Sequence, residues 1–157
     1  MPYLADTNSL LRIVNPHDPQ PALVDGAVEE LLARGEQIHY AHQNRREFWN
    51  VATRPLANNG FGLTPQEARE RLRRIDALFT RLPDRADSGP EWDRVVDQYG
   101  IIGTSVHDAQ LVASMVTHGL THILTLNVGD FLRYSSEITP VHPSQVVKPP
   151  APGQSQT

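Results

Sequence analysis

The chain opens on Pro2-Tyr3-Leu4-Ala5-Asp6 and passes at once into Thr7-Asn8-Ser9-Leu10-Leu11. The first run reads as a short strand, and residues 9–14 as the opening turns of a helix. The same alternation of strand and helix recurs along the chain, and it is the strongest constraint on the fold. Residues 37–41 are a strand candidate, followed by a helix over 44–53 that Pro55 ends. Residues 121–126 and 138–142 read as later strands. Between them the spacing predicts helices over 22–34, 91–99 and 105–118, the last two stopped by Gly100 and Gly119. Thr64-Pro65-Gln66-Glu67 starts another helix, with a threonine cap, proline at the first position and glutamate at the third. That helix carries an apolar face to about residue 81, although residues 79–82 can instead form a short strand before Pro83. Such alternation implies an α/β protein: a three-layer α/β/α sandwich around a mostly parallel sheet of four to five strands.

At 157 residues the chain fits one domain, expected over residues 1–146. Residues 147–157 hold almost nothing apolar to bury and read as a disordered Pro/Ser/Gln-rich tail. A turn-rich loop is expected over residues 15–21. No stretch is apolar enough to span a bilayer and no secretory signal is visible, so no membrane partner and a cytoplasmic location are expected. The absence of cysteine excludes disulfides, thiolate metal sites and cysteine nucleophiles.

Four segments place one acid near a helix start: Asp6, Asn44-Arg45-Arg46-Glu47, Ser105-Val106-His107-Asp108 and Asn127-Val128-Gly129-Asp130. Taken singly, each reads as a helix cap, which the macrodipole stabilises by ~0.3–1 kcal/mol. Taken together they imply more. In a parallel sheet, the helix starts that follow strands gather along one edge, where open α/β sheets bind ligands. Carboxylates gathered there repel unless a cation sits among them, and hard divalent ions are held by such oxygens. The net charge of −4 equals the charge of these four acids, so the remainder of the chain is neutral and a polyanionic substrate is not excluded.

The contexts Asp6-Thr7-Asn8, Arg46-Glu47-Phe48, His107-Asp108-Ala109-Gln110 and Leu124-Thr125-Leu126-Asn127-Val128-Gly129-Asp130-Phe131 resemble the PIN-domain family, and most closely the VapC-type toxins of bacterial toxin–antitoxin pairs. The resemblance runs from about residue 3 to residue 146. It implies a PIN-like fold and a metal-dependent endoribonuclease, using Mg²⁺ or alternatively Mn²⁺. Asp6, Glu47, Asp108 and Asp130 would be its catalytic, metal-holding acids, with Asn8, Thr125 and Asn127 as polar support. It further implies an RNA substrate, a cognate small antitoxin and self-association as a homodimer. Many relatives carry another acid or a lysine where this chain has Val128-Gly129, which leaves open whether Asp130 holds metal alone or with help from Asn127.

Thirteen of the 14 basic residues are arginine. Arg45 and Arg46 share a helical turn with Glu47, so at least one should face the groove, and Arg133 follows Asp130. Glu67–Arg71 and Glu70–Arg74 have the spacing of i,i+4 pairs, which leaves Arg69 and Arg73 as the better candidates for RNA or a protein partner. Trp49 and Trp92 read as packing residues, and the histidines form no credible zinc set. A catalytically silent PIN-like binding module is the main competing reading. An acidic-site phosphatase would need a second acid where Asn8 stands, and a DNA nuclease of flap type shares the acidic logic but is usually longer.

Overall fold

The computed structural model describes residues 1–15 and 22–147. Five short strands form one parallel sheet: β1 (Tyr3–Ala5), β2 (Ile38–Tyr40), β3 (Thr80–Arg81), β4 (His122–Leu124) and β5 (Thr139–Val141), in the order β3-β2-β1-β4-β5. β1 is central. Its Tyr3 pairs with Ile38 on one side and with His122 on the other. The chain builds outward from β1 through β2 and β3, then returns to place β4 and β5 on the opposite flank. The order therefore reverses between β1 and β4, and the crevice outside their carboxyl ends is where such sheets receive ligands.

Alternation along the strands sends neighbouring side chains to opposite faces. Tyr3 and Ala5 enter one core with Ile38, Tyr40 and Leu124, while Leu4 and Ile123 enter the other. The first core is closed by α1 (Thr7–Val14), α2 (Ala22–Ala33), α3 (His42–Thr53) and α4 (Pro65–Leu78), with Val146 from the short α8 (Pro143–Val146). The second is closed by α5 (Ser88–Tyr99), α6 (Val106–His118) and α7 (Val128–Phe131), with Tyr134 and Ile138. The three layers and the parallel sheet expected from the sequence are both present.

The local signals behave as their chemistry dictates. Thr64 accepts from the Glu67 N–H at 3.1 Å, and the Glu67 carboxylate accepts from the Thr64 N–H at 3.4 Å, closing the predicted capping box. Gly100 and Gly119 end α5 and α6 with φ of 60° and 68°. Residues 80–81 take the strand alternative. Several boundaries differ from expectation, among them the start of α1, at Thr7, and the end of α4, at Leu78, and one element was not expected. α5 begins at Ser88, three residues before the predicted start. α8 was unmarked, being one turn with Pro143 at its head. α3 begins at His42, because Ala41 is the cap and the Asn44 side chain reaches back to accept from the Ala41 N–H at 2.8 Å. The loop expected over residues 15–21, beyond Asn15, and the expected tail, beyond Val147, lie outside the described residues.

Candidate functional site

Asp6 stands just past the end of β1 and caps α1, its Oδ1 accepting from the Thr7 N–H at 2.8 Å. The cap uses one oxygen only. Oδ2 accepts from the Thr125 hydroxyl at 2.9 Å and from the Asn8 amide at 3.0 Å. Thr125, fully buried, follows β4 directly, so this bond closes the β1/β4 crevice. The backbone supports the closure: the Asp6 N–H donates to the Leu124 carbonyl at 3.0 Å and the Asn8 Oδ1 accepts from the Leu126 N–H at 3.1 Å. Asp6 is only 8% exposed. Burial pushes its carboxyl pKa up, the bonds from Thr125 and Thr7 oppose that, and the charges of Glu47 and Asp130 push further up.

Glu47 lies one turn inside α3, beyond the reach of the cap that Asn44-x-x-Glu47 suggested. Its Oε2 accepts from the Thr7 hydroxyl at 2.7 Å and its Oε1 from the Gln43 amide at 2.7 Å. Each donor is held in turn. The Asn44 amide donates to the Thr7 hydroxyl at 3.0 Å, and the Gln43 amide also donates to the His107 carbonyl at 2.9 Å, tying α3 to the first turn of α6. Gln43, Asn44 and Thr7 are all buried.

Asp108 and Asp130 sit in the first turns of α6 and α7. Neither Ser105 nor Asn127 makes the expected side-chain cap bond. Within the described residues, neither carboxylate receives a hydrogen bond or an ion pair. Asp108 is half-buried, and its pKa is pushed up to about 6, first by burial and then by the charges of Asp6, Asp130 and Glu47, with His107 opposing. The four acids thus share one electrostatic field. Among the described residues no three Asp, Glu or His side chains are gathered tightly enough to enclose an ion by themselves. Carboxylate oxygens are the ligand type that a hard ion such as Mg²⁺ takes.

Of the supporting residues, Asn8 and Thr125 touch Asp6 directly. Asn127 is exposed, and it meets the network through its backbone N–H, which donates to the Thr125 hydroxyl at 3.0 Å. The arginines divide. Arg45 is taken up by Asp76 and by the Tyr40 hydroxyl, the latter at 2.9 Å. Arg46 is exposed, has no partner among the described residues, and lines the cavity that Glu47 also lines. Arg69 lies over the Trp49 ring, 4.9 Å from its centroid, so it serves packing in this structure. Arg73 and Arg133 are exposed. The i,i+4 pairs Glu67–Arg71 and Glu70–Arg74 do not form ion pairs, which removes the reason for setting Arg69 and Arg73 apart.

Sequence reasoning missed Thr7 and Gln43 and gave Asn44 only a capping role. Gln43 was discoverable, since it stands four residues before Glu47 on the same helix face. Thr7 meets Glu47 across 40 residues, a contact with no local signal.

The sequence matches no protein-family model and no curated protein. Its architecture matches solved structures. VapBC2 from Rickettsia felis, determined bound to a DNA fragment from their promoter, aligns with a TM-score of 0.68 at 16% identity, over 90% of this chain and 98% of that one. VapBC-1 from nontypeable Haemophilus influenzae aligns at 0.63 and 13% identity, over 92% and 99%. FitAcB from Neisseria gonorrhoeae aligns at 0.62 and 18% identity, over 90% and 98%. Identity this low establishes a shared fold, and that fold is PIN-like.

Proposed function

Starting from a chain with the PIN-like fold of the VapBC and FitAcB assemblies, we propose that it is a divalent-metal-dependent endoribonuclease and the VapC-like toxin of a toxin–antitoxin pair. The observation that supports this reading is the mutual charge coupling of Asp6, Glu47, Asp108 and Asp130, carried on different elements, with no ion pair to any of them among the described residues. Asp6, Asp108, Asp130 and Glu47 would hold Mg²⁺ or Mn²⁺. A bound ion of this kind supplies an activated water and charge relief on the leaving oxygen of a phosphodiester. The chain itself supplies orientation. Thr125 and Asn8 fix Asp6, and Thr7 and Gln43 fix the two oxygens of Glu47, so these carboxylates need no reorganisation when substrate arrives. Asp108 accepts a proton below about pH 6, so its hold on a cation weakens there.

The reading extends to partners. A small antitoxin would silence the enzyme by laying a segment over the acidic groove, and the chain would self-associate as a homodimer. The test is incubation of the pure protein with a structured RNA pool in Mg²⁺, in Mn²⁺ and in EDTA. Cleavage is expected with either ion and not in EDTA, and Asp6→Asn should abolish it. Cleavage that persists in EDTA or in Asp6→Asn overturns the mechanism.

A further inference from the structure

Beside the acids lies a trough made of two cavities, of about 600 and about 300 Å³, that share Gln43, Arg46 and Gln110 as lining. Glu47 stands in the wall of the larger one and is its only acid. The rest of that wall differs in character from the acid cluster. Arg46 is an exposed guanidinium with no partner among the described residues. The side chains of Asn50 and Gln110 donate and accept nothing within them. Trp92 is fixed, half-buried against the second core with its Nε1–H donating to the Val106 carbonyl at 3.1 Å. Gln43 cannot turn over, because its nitrogen serves both Glu47 and the His107 carbonyl. Its Oε1 is left buried without a partner.

A fixed indole, unoccupied amides and an unpaired guanidinium in one cavity are the means by which proteins hold an unstacked nucleotide. The ring takes the base face, amides take the base edge, and the cation takes the phosphate. Duplex RNA does not offer its bases in this way. Resting on the ribonuclease reading above, we propose that this trough seats one nucleotide of single-stranded RNA next to the bond to be cut. Trp92 lies against the base, Asn50 and Gln110 read its edge, and Arg46 holds its phosphate. The trough, and not the acid cluster, is then the source of base preference.

The test uses the full chain in EDTA, where no cleavage occurs, with labelled oligo(A), oligo(C) and oligo(U) RNA followed by fluorescence anisotropy. Parallel cleavage of the RNA pool is measured in Mg²⁺. Arg46→Ala should weaken all three oligomers by about tenfold, as the loss of one charge-assisted bond does. It should also reduce the salt slope by about 0.7. Asn50→Ala combined with Gln110→Ala should reorder the three affinities. Melting temperatures close to that of the wild type show that the variants remain folded. If the amide variant leaves the ranking unchanged while the wild type still cleaves RNA, the nucleotide seat is overturned and the nuclease reading stands. A wild type that neither binds nor cleaves any RNA overturns both.

Discussion

The two halves of the acid cluster are built on opposite plans. Asp6 and Glu47 accept five hydrogen bonds between them, from Thr7, Asn8, Thr125 and Gln43. Asp108 and Asp130 receive none among the described residues. The first half is held in place before any ligand arrives. In the second, Asp130 is exposed, and the half-buried Asp108 carboxyl is pushed up to about 6, first by burial and then by the charges of the other acids. One side of the cluster is hydrogen-bonded within the protein, and the other is left to solvent.

The contrast can be broken in several ways. The largest effect expected is on catalysis: Asp6→Asn should lower RNA cleavage by about 10³-fold or more, since it removes the carboxylate at the centre of the rigid half. Next comes cation linkage. At 100 times its dissociation constant, Mg²⁺ should stabilise the wild type by about 2.7 kcal/mol. Calorimetry of wild type, Asp108→Asn and Asp130→Asn should find that increment reduced in both variants, and no increment in the wild type would break the comparison. Asn44→Ala should cost about 2 kcal/mol in urea unfolding, because the fully buried amide bridges Thr7 to the Ala41 backbone.

The unsatisfied half should respond with the opposite sign. Between the ordinary value of 3.8 and about 6, the folded Asp108 retains a proton that the unfolded chain has released. Stability therefore falls as pH rises through that window, and the penalty is complete above it. In EDTA at pH 7, Asp108→Asn should stabilise the protein by about 1 kcal/mol once screening of a half-buried group is allowed for. At pH 4 the gain should be nearly gone, as melting curves at the two pH values would reveal. The smallest effect belongs to Arg45→Ala. Its partner is Asp76, so stability should drop by about 0.5 kcal/mol with cleavage per folded molecule unchanged.

Much of this architecture was legible in the chain. Strand–helix alternation gave the layers, the capping box at Thr64 gave the start of α4, and left-handed glycines gave the ends of α5 and α6, because each is a local effect of chemistry within a few residues. Four acids could be picked out for the same reason. Asp6 caps α1, and Asp108 and Asp130 stand in the first turns of α6 and α7 as expected, whereas Ser105 and Asn127 make no side-chain cap bond and Glu47 lies too deep in α3. Arg45 and Arg46 were indistinguishable as neighbours, and the fold alone turned one to Asp76 and the other to the cavity.

The sequence by itself determined which side chains were available and that they would arrive at helix starts along one edge of a parallel sheet, since periodicity and capping are short-range. Only the tertiary structure decided that β4 and β2 flank β1, bringing Thr125 onto Asp6 across 119 residues and, through α1 against α3, Thr7 onto Glu47 across 40. Those contacts depend on strand order, and strand order is set by how two cores pack on opposite faces of the sheet, a global balance of burial that no local run of residues encodes.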